Sequence, residues 1–311
     1  MLKTKLTYLA STLGIAMMLG ACQPTTPPAE PKTETAASEV QVVELRLEGE
    51  LQKLNLNLAK CDGNNCSSLD IERLQSNMPF IDQWIDQQIT VLLKESLADA
   101  PEQAAASEPV ESSASEAAPI SAKLKLEQQL KPYSQAFVAL DDELKALSAG
   151  HPINIMIKPK ILNAKQPLAT VVLNSSSYLG GAHGSTTQRY YNFDLDAQKR
   201  VTLNDILQAN QQTALKQKAY DAFKVWVIQT ELASNVKEYE QAWQFNMTDN
   251  FYLGQQGLIL QYGEYEIGPY VVGLPRLTIP YSELKGILKA QYLPQDANEA
   301  ASEVNSSAEA Q

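Results

Sequence analysis

The spacing of apolar and polar positions predicts strands and helices in alternating blocks. Between residues 40 and 58 apolar residues, from Val43 to Leu58, alternate with polar ones, which indicates strands with one buried face. Gly254-Gln255-Gln256-Gly257 separates two apolar runs and predicts a hairpin turn. The strands expected in the second half of the chain span about 153–157, 168–173, 188–195, 251–253, 258–262 and 277–280.

Helical spacing of apolar residues separates these strand blocks. In the first helix Asn77 is the predicted N-cap, Pro79 lies in the first turn, and the pattern continues to about Leu97. The other predicted helices span about 123–150, 203–227 and 281–288. Together these elements predict an α+β fold, with an antiparallel sheet and helices packed on one face.

Polar segments of low complexity interrupt this pattern. They contain too few apolar residues to form a core, so we expect no packed structure from them. The part before residue 98 is too short to bury a sizeable core alone, and the Ala-, Ser-, Glu- and Pro-rich segment after it is therefore an insertion. The predicted organisation is a signal peptide (1–21), a tether (22–39), an N-terminal α+β part (40–97), the insertion (98–122), an α+β domain (123–292) and an acidic tail (293–311).

The N-terminus predicts export and lipid attachment. Lys3 and Lys5 precede an apolar run that is too short to span a bilayer comfortably, as in secretory signals. Leu19-Gly20-Ala21-Cys22 resembles the lipobox of bacterial lipoproteins, in which the cysteine is acylated and becomes the new N-terminus. An ordinary signal peptide with a chance cysteine is the alternative. Gln23 in the next position resembles lipoproteins that Gram-negative cells sort to the outer membrane.

The charge narrows the range of partners. The formal net charge is −11, and loss of Lys3 and Lys5 with the signal peptide would make it −13. Such an acidic chain is a poor candidate for binding nucleic acid or anionic lipid, and it would attract basic partners. The alternative is that acidity serves only to keep the protein in solution.

Two cysteines remain beside the predicted lipidation site. Cys61 and Cys66 flank Asp62-Gly63-Asn64-Asn65, and in an oxidising compartment this spacing predicts a disulfide across a tight loop. A metal site would need more ligands, and the only histidines are His151 and His183. The spacing also differs from that of a CxxC redox motif. We therefore expect neither a metal nor a cofactor.

Two stretches of the second half carry a family resemblance. Ser177-Tyr178-Leu179-Gly180-Gly181-Ala182-His183-Gly184 is followed by Tyr191-Asn192-Phe193-Asp194 and by 201–207, and a second stretch runs from Phe251 to Tyr281. Together they resemble the extracytoplasmic domain of RsiV-like proteins, best known from a lysozyme-sensing anti-sigma factor. A similar domain precedes the catalytic part of some peptidoglycan deacetylases. The resemblance implies a domain that binds cell-wall-related ligands, lysozyme among them.

Candidate chemistry is sparse in the remaining pattern. His183 lies among glycines without a serine nucleophile motif, and we interpret it as a side chain that hydrogen-bonds the backbone of a bend; catalysis is the alternative. Glu264 and Glu266 are two apart and would share one face of a strand, where paired carboxylates could serve a glycosidase. A solvated surface is the simpler interpretation of this pair.

The sequence thus predicts a non-enzymatic, lipid-anchored envelope protein that binds lysozyme or peptidoglycan. Tyrosines beside acids can receive sugars or a cationic protein, although packing in the sheet would also explain them. A cell-wall glycan hydrolase and a structural envelope lipoprotein are the alternatives. The candidate binding surface comprises Tyr178, His183, Tyr262, Glu264, Tyr265, Glu266 and Tyr270.

Overall fold

The computed structural model describes residues 45–58, 66–98, 120–147 and 151–294. The predicted signal peptide, Cys22, the tether, Cys61, most of the insertion and the acidic tail lie outside these residues. Lipid attachment, the Cys61–Cys66 disulfide and the domain boundaries therefore stay predictions. None of the helices within the described ranges is long and apolar enough to cross a membrane.

The largest element of the described chain is a sheet of six strands, arranged in the order in which they occur in the sequence. These strands are β1 (Gly49–Lys53), β2 (Ser68–Ser76), β3 (Asn154–Asn163), β4 (Ala169–Tyr178), β5 (Ser185–Asp194) and β6 (Lys199–Val201). The α+β prediction is confirmed. The expectation of a wholly antiparallel sheet is wrong at one place, because β2 and β3 run parallel. Their connection contains two helices, and a parallel pair needs such a long crossover.

The two crossover helices cover one face of this sheet. They are α1 (Pro79–Ser96) and α2 (Ala122–Ala146). On α1, Ile81, Ile85 and Ile89 recur at helical spacing and are fully buried. They belong to the same core as alternate residues of the central strands, such as Ile157 and Val171. The helical spacing of apolar residues in the sequence therefore corresponds to the face of α1 that packs on the sheet.

A buried ion pair joins α1 to β2. The Arg73 guanidinium donates to both carboxylate oxygens of Asp86 at 2.8–3.2 Å, and the side chains are only 4% and 14% exposed. Burial raises the pKa of the Asp86 carboxyl, and the hydrogen bonds from Arg73 oppose that rise. Either charge alone would destabilise the fold at this buried position, and each side chain therefore stabilises the charge of the other.

The start of α1 differs from the prediction in one residue. Asn77 does not cap the helix; its side chain accepts from the Glu48 N–H at 2.9 Å and donates to the Arg46 carbonyl at 2.8 Å. Asp82 instead accepts from the Ser76 N–H at 2.9 Å, back across the first turn. A polar residue before an apolar run indicates where a helix begins, but tertiary contacts decide which groups its side chain hydrogen-bonds.

The C-terminal half forms a second core around a smaller sheet. Its elements are α3 (Gln212–Gln229), α4 (Val236–Tyr239), β7 (Phe251–Leu253), β8 (Gly257–Gln261) and β9 (Arg276–Pro280). The three strands are antiparallel with β8 in the middle, and the predicted Gly254–Gly257 hairpin is confirmed. The predicted helix at 281–288 is wrong, because only a 3₁₀ turn forms at Tyr281–Glu283.

Strand β5 connects the two cores. Its Tyr191 and Phe193 are buried in the first core, whereas Asn192 points to the opposite face. There Asn192 donates to the Phe251 carbonyl of β7 at 2.8 Å and accepts from the Thr170 hydroxyl at 2.8 Å. This buried pair of bonds fixes the small sheet against the large one, and it brings the β4–β5 loop near the turn that follows β8.

Candidate functional site

The loop between β4 and β5 forms one side of the candidate site. Gly180 has a φ of +84°, a conformation that favours glycine, and it packs against the Leu144 side chain of α2. At Gly184 a Cβ would lie 2.8 Å from the Ser177 carbonyl oxygen, so the chain requires glycine there for close approach. The glycines around His183 therefore allow the bend that the sequence analysis placed at this histidine.

The turn after β8 forms the other side. Glu264 and Glu266 lie in this turn and not on a strand, so the expectation that they share a strand face is wrong. The Glu264 carboxylate accepts from the Ser185 hydroxyl at 3.1 Å and from the Thr186 N–H at 3.0 Å. The Glu266 carboxylate accepts from the Gly263 N–H at 2.9 Å. Both carboxylates therefore bind backbone groups that shape the site.

Tyr265 occupies a strained position between these two carboxylates. Its φ is +64°, in the left-handed region, which costs a non-glycine residue roughly 1–2 kcal/mol. The hydrogen bonds of Glu264 and Glu266 hold the turn in this conformation, and the Tyr265 side chain is 49% exposed. Backbone strain of this kind persists where surrounding contacts hold the residue in its conformation, and it is frequent at ligand-binding positions.

A histidine connects Tyr265 to a third ring. The His183 ring stacks on Tyr270 with centroids 4.1 Å apart and planes 27° apart. Its Nδ1 lies 2.9 Å from the Gly184 carbonyl oxygen, which can only accept, so Nδ1 carries the proton in this bond. In the neutral ring Nε2 is then the acceptor for the Tyr265 hydroxyl, 3.1 Å away. The Tyr270 hydroxyl also donates to the Gly184 carbonyl, at 3.1 Å.

Trp243 extends this group of rings. Its centroid lies 6.4 Å from that of Tyr265, and the Tyr265 and Tyr270 centroids are 5.8 Å apart, with the planes of each pair within 28° of parallel. At these separations nearly parallel rings are displaced sideways, so parts of their faces stay accessible. We name Trp243, Tyr265, Tyr270 and His183 the aromatic surface. Beside it Val271 is 86% exposed.

Two of the predicted tyrosines lie elsewhere. Tyr262 is 1% exposed and donates to the Asn246 carbonyl at 2.9 Å, so its expected place on a binding surface is wrong. Burial, and to a lesser extent the charge of Glu266, raises the pKa of its phenol well above the usual value. Tyr178 ends β4, half-buried, and no ring contact within the described segments joins it to the aromatic surface.

Sequence reasoning missed Trp243 because it lies in a loop with no periodicity. The chain has three tryptophans, and Trp84 and Trp226 both follow the helical pattern of core residues. A tryptophan outside any apolar pattern was the available signal. As for metals, the described segments contain no group of three or more His, Cys, Asp or Glu side chains that could hold an ion.

The α+β fold is similar to that of solved structures. A DUF3298 family protein from Pseudomonas aeruginosa PAO1 superposes with a TM-score of 0.55 at 23% identity, over 80% of this chain and 97% of that one. A member of the same family from Bacteroides fragilis NCTC 9343 gives a TM-score of 0.51 at 18% identity, over 79% and 94%. At these identities the likeness concerns the fold.

A sequence family is found in the C-terminal half. Residues 204–282 match the family described as Protein of unknown function (DUF3298). The chain is also 25% identical, over 189 residues, to the peptidoglycan-N-acetylmuramic acid deacetylase PdaC of Bacillus subtilis (strain 168). This match covers 58% of the chain but only 40% of PdaC. The predicted similarity of part of the chain to a peptidoglycan deacetylase is thereby confirmed, while the narrower RsiV-like assignment stays a prediction.

Proposed function

We propose that this protein is a non-enzymatic, lipid-anchored component of a bacterial cell envelope that binds the glycan of the cell wall through the aromatic surface. The observation that carries the proposal is the group of exposed and partly exposed rings that three loop segments bring together, after β4, after α4 and after β8. Apolar C–H faces of sugar rings pack against aromatic faces, and nearby polar groups orient them. The strained backbone at Tyr265 supports a binding role for that ring.

The relationship to PdaC supports a cell-wall ligand. PdaC acts on peptidoglycan, as its name states, and the match covers 58% of this chain. Since the match spans only 40% of PdaC, we carry over the class of ligand and not the deacetylation.

The contacts of the acidic residues favour binding over hydrolysis. A glycosidase needs two carboxyl groups free to act on opposite sides of a sugar. Here Glu264 and Glu266 each accept a hydrogen bond from a backbone N–H in the site. His183 bonds to Gly184 and Tyr265, and no serine, threonine or cysteine is among its hydrogen-bond partners in the described segments.

A second candidate partner is a cationic protein such as lysozyme. The net charge of −11 favours this partner, because opposite charges raise the rate of encounter between proteins. Exposed tyrosine and tryptophan side chains are also frequent at the centres of protein interfaces. The two candidates predict different responses to salt, because charge-driven association weakens as ionic strength rises.

Replacing Tyr265 with alanine is expected to weaken retention by purified peptidoglycan sacculi about 30-fold, the effect of losing about 2 kcal/mol at an aromatic hot spot. The measurement is cosedimentation of the mature protein with sacculi over a range of concentrations. Leu162→Ala is the matched control, because Leu162 is similarly exposed, at 46%, on β3. Equal retention of both variants would overturn the proposal. Capture of lysozyme without retention by sacculi would favour the second candidate.

The lipid anchor requires acylation of Cys22, which we test separately. Mass spectrometry of the mature protein is expected to find an N-terminal Cys22 carrying acyl chains. Cys22→Ser should leave the protein unacylated and release it from the membrane fraction. The acyl chains on this cysteine together provide the stable anchor, and the variant lacks all of them. An unmodified thiol at this position in the wild-type protein would contradict the anchor.

A further inference from the structure

A cavity of about 520 Å³ lies directly beside the aromatic surface. It is bounded by the C-terminal end of α1, by α2, by the ends of β4 and β5, and by the loop between those strands. Its volume falls in the range of small-molecule binding sites. His183 lines the cavity and also stacks on Tyr270, so cavity and aromatic surface are continuous.

The side chains on this face of the sheet change from apolar to polar where the face reaches the cavity. Along β4, Val171 and Leu173 are fully buried in the first core, and the next two positions on the same face are Ser175 and Ser177. Their cross-strand partners on β5 are Tyr191 and Arg189 for the two apolar residues, and Thr187 and Ser185 for the two serines. The hydroxyl side chains that line the cavity are Ser96, Ser175, Ser177, Ser185 and Thr187.

One of these hydroxyls has unused hydrogen-bonding capacity. The Thr187 Oγ1 is buried and has no hydrogen-bond partner within the described segments. Leaving a buried hydroxyl without a partner destabilises a protein, and a valine of nearly the same shape would avoid this cost. Its cross-strand neighbour Ser175 is 5% exposed and also lines the cavity. Because the Thr187 side chain lines the cavity, rotation about its Cα–Cβ bond would turn this hydroxyl toward a ligand there.

The lining indicates a neutral, polar ligand. Hydroxyl groups both donate and accept, which suits ligand hydroxyl and amide groups that do the same. Glu95 also lines the cavity, and its ion pair with Arg189 balances its charge, so a ligand needs no net charge of its own. Leu92, Leu140 and Leu179 supply apolar wall. Such a mixture fits a sugar ring with an attached amide and methyl group.

We infer that this cavity binds one N-acetylated hexopyranose unit of the glycan that passes over the aromatic surface. The inference rests on the proposed function and adds the site at which a single sugar is recognised. Thr187 and Ser175 bond the hydroxyl or amide groups, and the leucines contact the acetyl methyl group. His183 connects the two parts of the site.

The test is titration of the mature protein with chitotetraose, a soluble oligomer of N-acetylglucosamine, followed by amide chemical shifts. Thr187→Val is expected to weaken binding about five- to tenfold, the effect of one lost hydrogen bond. The same variant should raise the thermal unfolding midpoint by about 2–4 °C, because the buried hydroxyl is gone. Thr278→Val on β9 is the matched control; Thr278 is exposed and does not line the cavity, so binding should not change.

The outcomes distinguish the cavity from the proposed function. Binding of chitotetraose by Thr187→Val at wild-type affinity, or no shift at the Ser175 and Thr187 amides on titration, would overturn the cavity assignment. Retention by sacculi that depends on Tyr265 would still uphold the proposed function in that case. Shifts at the cavity without retention by sacculi would instead uphold sugar binding here and reject the cell-wall role.

Discussion

Replacing Arg73 with alanine is expected to lower the free energy of unfolding by about 3–5 kcal/mol, because it leaves the Asp86 carboxylate buried without its partner. Arg73 is 4% exposed and donates to both oxygens of that carboxylate. The loss should be measurable by urea unfolding at pH 7, followed by tryptophan fluorescence.

The loss should also depend on pH in a definite direction. Burial already raises the pKa of Asp86 above 3.8, and removal of Arg73 raises it further. Where the folded pKa exceeds the unfolded one, the folded protein binds more protons, and stability falls as pH rises between the two values. The deficit of Arg73→Ala should therefore be smallest below the raised pKa that Asp86 has in the wild-type protein and full above the still higher pKa that it has in the variant.

A double variant separates the buried charge from simple loss of packing. Arg73→Met with Asp86→Leu removes both charges and should be close to the wild-type stability or above it. Lys145→Ala is the control, because it breaks an ion pair with Asp141 on the solvent-facing side of α2. Lys145 is 58% exposed, so the free energy of unfolding should change little. A loss below about 1 kcal/mol for Arg73→Ala would contradict the role assigned to the pair.

The second large effect is expected at Gly257, at the start of β8. A Cβ there would lie 2.0 Å from the Ile279 carbonyl oxygen and 2.9 Å from the Pro280 Cα, and both are backbone atoms. Gly257→Ala must therefore separate β8 from β9, and we expect a loss of about 3 kcal/mol or more in the free energy of unfolding. Because β8 leads into the turn of Tyr265, retention by sacculi should fall as well.

Amide chemical shifts would locate this damage even where the variant is poorly stable. Resonances of β7 to β9 should move while those of β3 and β4 stay near their wild-type positions. Gly286→Ala is the control: its φ is +76°, but nothing lies within 4 Å of the added carbon. Backbone strain alone should lower the free energy of unfolding of Gly286→Ala by about 1–2 kcal/mol. Similar losses for the two variants would show that the close backbone approach at Gly257 is unimportant.

Several strands and helices could be predicted from the burial of one face, but β2 was not among the predicted strands although Leu69 and Ile71 on one of its faces are buried. Ile81, Ile85 and Ile89 predict α1 because burial on one side of a helix imposes a period near four. The segment after β8 could not be predicted in this way. Glu264 and Glu266 alternate as on a strand, yet they lie in a turn, since hydrogen bonds to β5 and to the turn itself decide its path.

The sequence by itself determined the α+β class, the hairpin at Gly254–Gly257 and the glycine-dependent bend before β5, because local periodicity and backbone freedom govern them. Only the tertiary structure decided the parallel pairing of β2 with β3, the burial of Tyr262 and the meeting of Trp243 with Tyr265, Tyr270 and His183. These depend on contacts between residues far apart in the chain, and no local pattern of side chains specifies which distant surfaces will pack together.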